Sequence, residues 1–128
     1  MEKQKFQIEY VLNASPKVLY NRLATPSGLA EWFADDVNFE NNMQTYIFTW
    51  DGEANKADIV SKKEPSYIRF TWDYDEDEDI YFEFKIHVDE LTKDVSLVIT
   101  DFAEPDEIDD AIQLWNKQIE NLKHVIGS

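Results

Sequence analysis

Hydrophobic residues recur at every second position in several segments of the chain. The clearest segment is IYFEFKIHV, residues 80–88, where every even-numbered residue is hydrophobic. Successive side chains of a β-strand point to opposite faces of a sheet, so this period predicts antiparallel strands with one covered and one polar face. The same period occurs in KFQIEYVL (5–12), QTYIFTW (44–50), SYIRFTW (66–72) and VSLVITDF (95–102), and a more polar strand, ANKADIVSKK (54–63), follows the hairpin signal Asp51-Gly52.

Two short helices are predicted between the first strand and the remaining strands. Ser15-Pro16 and Thr25-Pro26 each combine an N-cap residue with a proline, which is tolerated at the first position of a helix. The second of these helices is predicted to carry Leu29, Trp32 and Phe33.

A long helix is predicted at the C-terminal end of the sequence. Apolar residues are spaced there by three and four positions, the period of one helical face, and Lys123 and His124 near the end suit the helix dipole. The elements together predict an α+β fold: a curved antiparallel sheet of six or seven strands wrapped around the C-terminal helix, with two short helices after the first strand. We expect residues 1–128 to form a single domain. The apolar stripe consists of Ile108, Ile112, Trp115, Ile119, Leu122 and Ile126.

Composition and charge narrow the possible partners. The formal net charge is −15, which disfavours nucleic acids and anionic membrane surfaces, because both are bound through lysine and arginine. A basic protein partner would be attracted, although such a charge also serves solubility. The chain has no cysteine, so disulfides, thiolate nucleophiles and cysteine-based zinc sites are excluded. No apolar run predicts a signal peptide or a membrane span, and we expect a cytoplasmic protein.

The segment SPKVLYNRLATPSGLAEWF, residues 15–33, resembles the N-terminal signature of the START-like, helix-grip (SRPBCC) superfamily. Within it the sequence is most similar to the branch homologous to the activator of the ninety-kilodalton heat-shock protein ATPase. Members of that branch often carry glycine just before the tryptophan of the long helix, where this chain has Leu114. The matching positions are Pro16, Val18, Leu19, Thr25, Leu29, Trp32 and Phe33, together with Trp115, Ile119 and Leu122.

The resemblance implies a cavity between the sheet and the long helix. Family members use this cavity for lipids, sterols, polyketides and other apolar molecules; some act as cyclases and others bind a chaperone. The alternative for this chain is a solid core filled by its own rings. Trp32 and Phe33 would either gate access to the cavity or cap the core. The predicted ligand-binding residues are Trp32, Phe33, Tyr46, Phe48, Trp50, Phe70, Trp72, Phe82, Phe84, Leu97, Ile112, Trp115 and Ile119.

The acidic segment DYDEDED, residues 73–79, has aspartates at the first, third and fifth places of an EF-hand loop. The loop also needs glycine at its sixth place and glutamate at its twelfth, which are Glu78 and Phe84 here. We therefore predict a hairpin tip, in preference to a weak cation site or a docking patch for a basic surface.

The sequence contains no nucleophile elbow and no glycine-rich phosphate loop, and we predict no catalytic residue, metal or cofactor. His87 falls on a polar strand face, and Asp58 and Asp101 are the carboxylates that could face inward near strand ends, although neither is assigned a role. The favoured hypothesis is non-catalytic binding of an apolar or amphipathic small molecule, lipid-like or polyketide-like. The alternatives are a co-chaperone-like interaction domain that uses its acidic surface and a cyclase-like enzyme.

Overall fold

A computed structural model describes residues 2–75, 77 and 79–127. They form a seven-stranded antiparallel sheet, two short helices and a long C-terminal helix, which confirms the predicted α+β architecture. The elements are β1 (Gln4–Leu12), α1 (Pro16–Ala24), α2 (Pro26–Leu29), β2 (Asp36–Glu40), β3 (Thr45–Trp50), β4 (Glu53–Lys63), β5 (Tyr67–Trp72), β6 (Phe82–Val88), β7 (Val95–Ala103) and α3 (Ile108–Ile126), the last preceded by a 3-10 turn at Pro105–Glu107.

The strands lie in the order β1-β7-β6-β5-β4-β3-β2. Strands β2 to β7 pair with their neighbours in sequence, whereas β1 pairs with β7, from Gln4 opposite Ala103 to Leu12 opposite Val95. At the β3–β4 hairpin, Asp51 and Gly52 have φ angles of 49° and 79°, as a type I′ turn requires. The hairpin signal in the sequence is therefore confirmed.

Both predicted helix starts are capped by their own side chains. The Ser15 hydroxyl accepts a hydrogen bond from the Val18 amide at 3.2 Å, and the Thr25 hydroxyl accepts one from the Gly28 amide at 3.0 Å. Gly28 also lets α2 approach α1, because a Cβ atom there would lie 2.2 Å from the carbonyl oxygen of Asn21.

Helix α3 lies on the same face of the sheet as α1 and α2. Trp115, Ile119 and Leu122 of its apolar stripe are buried, and they join one hydrophobic core with the inward-facing rings of the strands. The Tyr10 hydroxyl of β1 donates to the Asn116 side-chain oxygen at 2.6 Å, which ties the helix to the edge strand. The helix ends at Gly127, whose φ of 75° is typical of a left-handed C-cap.

Part of the outer face of the sheet is less exposed to solvent than the alternating pattern predicts. Glu83 exposes only 8% of its surface. The Nε and Nη2 atoms of Arg69 both lie 2.8 Å from the Glu83 carboxylate, and the Arg69 guanidinium lies 3.9 Å from the centre of the Tyr81 ring. Long side chains thus cover a carboxylate on a face that was expected to be open to solvent.

Strand β6 begins at Phe82, two residues later than predicted. The Ile80 amide donates to the Asp77 carbonyl at 3.1 Å, and the Thr71 hydroxyl donates to the Ile80 carbonyl at 3.2 Å. These local turn contacts use the backbone groups that a longer strand would need for pairing.

Candidate functional site

A cavity of about 380 Å³ lies between the N-terminal half of α3 and the sheet. We call it the α3 cavity. Strands β3, β5, β6 and β7 supply one wall and α3 the other, and Phe33 of the segment after α2 also contributes to the lining. The lining residues are Phe33, Trp50, Trp72, Phe82, Asp101, Ala111, Leu114, Trp115 and Gln118.

Phe33 organises the aromatic wall. Its ring stacks on Trp115, with centroids 5.7 Å apart and planes inclined by 15°, and meets the edge of Trp50 at 5.3 Å. Trp72 stacks on Phe82 at 4.9 Å and lies 6.1 Å from Trp50. Such contacts hold large rings in fixed positions, so the wall is preorganised without a ligand.

The backbone carbonyl of Phe33 links the segment after α2 to strand β3 and to helix α3. The carbonyl oxygen of Phe33 accepts hydrogen bonds from the Trp50 indole nitrogen at 2.8 Å and from the Gln118 amide at 3.1 Å. The segment after α2 is thereby fixed to both β3 and α3. Two polar groups of the lining are satisfied by this one carbonyl.

Asp101 is the only titratable side chain among the described lining residues. Its Oδ2 accepts a hydrogen bond from the Trp115 indole nitrogen at 2.9 Å, and its Oδ1 accepts one from the Phe102 amide at 2.8 Å. Burial raises the pKa of the Asp101 carboxyl above its ordinary value, and the two N–H donors act against this shift. A carboxylate that is poorly hydrated and lines a cavity is a candidate functional group.

Asp58, the other carboxylate that could face inward, does not do so. It is exposed on β4 and accepts a hydrogen bond from the Thr45 hydroxyl at 2.7 Å. Of these two candidates, Asp101 lines the cavity and Asp58 does not.

The predicted ligand-binding residues separate into two sets. Phe33, Trp50, Trp72, Phe82 and Trp115 line the α3 cavity. The others lie elsewhere: Trp32, Phe48, Phe70, Phe84, Leu97 and Ile119 are buried in the packed core, Ile112 is half-buried on α3, and Tyr46 is buried with its hydroxyl donating to the Ala24 carbonyl at 2.6 Å.

Helix α2 ends at Leu29, so the prediction that it carries Trp32 and Phe33 is wrong for both, which lie in the turn that follows it. The two residues take different positions although they are adjacent. Trp32 is 4% exposed and its indole nitrogen donates to the Arg22 carbonyl at 2.8 Å, so it joins α1 to the segment after α2. Phe33 is equally buried by the protein but forms the inner wall of the α3 cavity.

Sequence reasoning did not select Asp101, Ala111, Leu114 or Gln118 for the lining. Asp101 has the same alternation as the inward-facing Leu97 and Ile99 of β7, and this pattern is the sequence signal for its position. The helical residues lie one position before the apolar stripe, because α3 is rotated so that the flank of its stripe faces the cavity. Leu114 is 62% exposed at the cavity rim.

A second and larger pocket, of about 580 Å³, is a groove on the surface beside α1. Lys17, Lys62 and Glu64 on its walls are exposed, Tyr46 is buried, and no described residue of α3 contributes to the lining. We prefer the α3 cavity as the site because most of its described lining residues are aromatic, which is typical of small-molecule sites. The other lining residues of the groove are Val18, Tyr20, Asn21, Ala24, Thr25, Pro26 and Met43.

The acidic segment 73–79 connects two antiparallel strands. Phe70 of β5 pairs with Phe82 of β6, and the intervening Asp75 amide donates to the Trp72 carbonyl at 3.1 Å. This placement fits the predicted hairpin tip, although Glu76 and Glu78 lie outside the described residues. The interpretations as cation site or docking patch remain predictions. None of the described helices is long and apolar enough to cross a membrane.

The sequence profile of the START-like superfamily domain matches residues 1–128. The chain belongs to the START-like superfamily. The resemblance inferred from residues 15–33 and from the long helix is therefore confirmed at this level. No curated protein matches the chain.

Solved structures share the fold of this START-like chain. BfR322 from Bacteroides fragilis, solved by solution NMR, is 42% identical with a TM-score of 0.69, and the match covers 98% of this chain and 92% of that one. The Aha1 dimer from Colwellia psychrerythraea is 16% identical with a TM-score of 0.77 and 96% coverage of both chains. DynU16, a protein in the dynemicin biosynthetic locus, is 10% identical with a TM-score of 0.76, covering 97% of this chain and 47% of that one. The last two similarities show the fold alone.

Proposed function

We propose that the chain binds an apolar or amphipathic small molecule, without catalysis, in the α3 cavity. The observation that supports this most directly is a cavity of about 380 Å³ with three tryptophans and two phenylalanines on its walls. Known ligand pockets have volumes of about 300–1,000 Å³ and are lined mainly by apolar and aromatic side chains with a few polar groups.

The partial exposure of two lining tryptophans favours a ligand site over a simple packing defect. Trp50 and Trp72 are only half-buried, whereas Phe48 and Phe70 beside them are fully buried. When an apolar molecule covers such exposed apolar surface, the free energy of the system falls by about 25 cal/mol per Å² covered. The expected ligand classes, lipid-like or polyketide-like, come from the resemblance to the START-like superfamily.

The experiment that tests this proposal uses Nile red, a neutral dye whose emission shifts to shorter wavelength in apolar surroundings. We expect saturable binding with one dye per chain. Ala111→Phe should place a ring inside the cavity and weaken binding at least about tenfold, because overlap with the added ring must be relieved. Gln113→Phe is the matched control, since Gln113 is exposed on α3 and does not line the cavity.

Two results would contradict the proposal. One is the absence of saturable binding to a chain that is folded by circular dichroism. The other is equal binding by the wild type and the folded Ala111→Phe chain. If Ala111→Phe does not fold, Ala111→Leu tests the same point with a smaller addition.

A second candidate is a co-chaperone-like interaction with a basic protein surface. The net charge of −15 favours it, and Asp73, Asp77 and Asp79 are exposed in the acidic segment. Binding to purified ninety-kilodalton heat-shock protein that weakens as salt screens the charges would support it. Binding that is absent at low salt would exclude this partner.

The cyclase-like alternative is supported by one group, Asp101, whose raised pKa suits general acid–base chemistry. The described lining residues supply no second titratable group, and His87 and His124 are exposed outside the cavity. We therefore favour binding over catalysis.

A further inference from the structure

We propose that the occupant of the α3 cavity is an organic cation, a hydrophobic amine or quaternary ammonium compound, held between the tryptophan rings and the Asp101 carboxylate. This inference rests on the proposed binding function and adds the chemical class of the ligand. It follows from the polar groups that the cavity offers and from those it does not.

Two of the three indole N–H groups in the described lining of the cavity donate within the protein. The indole nitrogen of Trp50 donates to the Phe33 carbonyl, and the indole nitrogen of Trp115 donates to Asp101. The Gln118 amide also donates to Phe33. A carboxylate or phosphate head group would need such donors, so these bonds leave the cavity poorly suited to an anionic ligand.

The charged side chains of the lining also favour a cationic ligand over an anionic one. Among the described lining residues there is no lysine, arginine or histidine, and Asp101 is the one charged side chain. The positive charge of Lys3 lowers the pKa of Asp101. The Lys3 Nζ lies 3.4 Å from the Asp75 carboxylate, however, so Lys3 is already paired. A net charge of −15 on the whole chain repels anions and raises the local concentration of cations.

The aromatic wall is of the kind that attracts cations. A positive charge over the face of an aromatic ring, within about 6 Å of its centre, is stabilised by the ring quadrupole, and tryptophan is the most effective ring. Trp50, Trp72 and Trp115 all line the cavity, and the centres of Trp50 and Trp72 lie only 6.1 Å apart. An ammonium group in the cavity would therefore lie among tryptophan rings.

Asp101 supplies the countercharge. Its carboxylate accepts two neutral N–H bonds and forms no ion pair within the part of the chain that the structure describes. A carboxylate can accept about four hydrogen bonds, so part of its capacity is open to the cavity. A buried charge of this kind is costly unless it is paired, and a bound ammonium would pair it.

The experiment compares three probes with the same alkyl chain: octyltrimethylammonium, octanol and octanoate. Their affinities for the full chain are measured by calorimetry below micelle-forming concentrations. We expect the cation to bind at least about tenfold more tightly than octanol, because it gains both the ring faces and the Asp101 charge. Octanoate should bind most weakly of the three.

Two substitutions separate the site from general attraction to an acidic protein. Asp101→Asn removes the charge at constant size and should bring the affinities of octyltrimethylammonium and octanol within about threefold of each other. Asp58→Asn makes the same change of net charge at an exposed position of β4, outside the cavity, and should leave the preference intact.

Each result decides between the proposals. Octanol or octanoate binding as tightly as the cation would overturn the assignment of a cationic ligand and leave the binding function standing. An equal loss of preference in Asp58→Asn and Asp101→Asn would also overturn it, because the attraction would then belong to the surface. Failure of all three probes would overturn the assignment of a cationic ligand, and failure of Nile red would overturn the binding function itself.

Discussion

The indole nitrogen of Trp115 donates a hydrogen bond of 2.9 Å to the carboxylate of Asp101. This bond joins the middle of α3 to the end of β7 and places the only charged group among the described residues of the α3 cavity beside its largest rings. One contact therefore contributes both to the stability of the fold and to the chemistry of the site.

Trp115 is expected to matter for stability in two separable ways. Trp115→Ala removes a ring that is 8% exposed and stacked on Phe33, and should lower the free energy of unfolding by about 3–5 kcal/mol. Trp115→Phe keeps most of the ring but leaves Asp101 without its donor, and should cost about 1.5–3 kcal/mol. Urea denaturation measures both values.

The control for this series is Leu114→Ala on the same helix. Leu114 is 62% exposed, so its loss should change the free energy of unfolding by no more than about 0.5 kcal/mol. A cost below about 1 kcal/mol for Trp115→Ala would mean that the ring stands over empty space and contributes little packing.

Asp101 should make stability depend on pH in a particular direction. Burial raises the pKa of this carboxyl in the folded chain, so the folded state binds the proton more tightly than the unfolded state does. The contribution of Asp101 to stability therefore improves as the pH falls through the folded pKa, and is unfavourable at neutral pH.

The comparison with Asp101→Asn isolates this effect, because the asparagine side chain cannot titrate while Asp75, Lys3 and the other charged groups remain. The free energy of unfolding of the wild type minus that of Asp101→Asn should become larger as the pH is lowered from about 7 to about 4. A difference that stays constant over this range would show that the pKa of Asp101 is not raised.

Gly28 is expected to tolerate no side chain. A Cβ atom would lie 2.2 Å from the Asn21 carbonyl oxygen and 2.8 Å from the Arg22 Cα, both backbone atoms of α1. Gly28→Ala should force α1 and α2 apart and cost about 1–3 kcal/mol in thermal or urea unfolding. Ser27→Ala, at an exposed position of the same short helix, should be neutral within about 0.5 kcal/mol.

Gly52 tests backbone conformation without packing. Its φ is +79°, and no atom lies within 4 Å of the position that a Cβ atom would take, so a substitution meets strain but no clash. Gly52→Ala should cost about 1–2 kcal/mol. Gly52→Asn should cost less, because asparagine adopts the left-handed region more readily. Equal unfolding midpoints for the two variants would contradict this explanation.

Much of the fold was predictable because each element carries its own local signal. Alternation placed the strands, the Ser-Pro and Thr-Pro pairs placed α1 and α2, and the stripe from Ile108 to Ile126 matched α3. The burial of Glu83 was not predictable, since it depends on Arg69 and Tyr81 meeting across neighbouring strands.

The site was less predictable than the fold. Alternation identifies which rings point inward, but it does not say which are packed against each other and which face a void. That distinction depends on the rotation and position of α3, which bring Gln118 and Leu114 to the cavity and leave Phe48 and Phe84 in the core. Such rotation is set by packing over the whole molecule.

The pairing of β1 with β7 has a consequence for how the chain folds. Strands β2 to β7 can form as successive hairpins, whereas Gln4 meets Ala103 only after almost the whole chain has been made. Contacts between residues so far apart in sequence are slow to form, because a long loop must close first. We expect the pairing of β1 with β7 to slow the folding of the whole chain relative to a sheet made of successive hairpins alone.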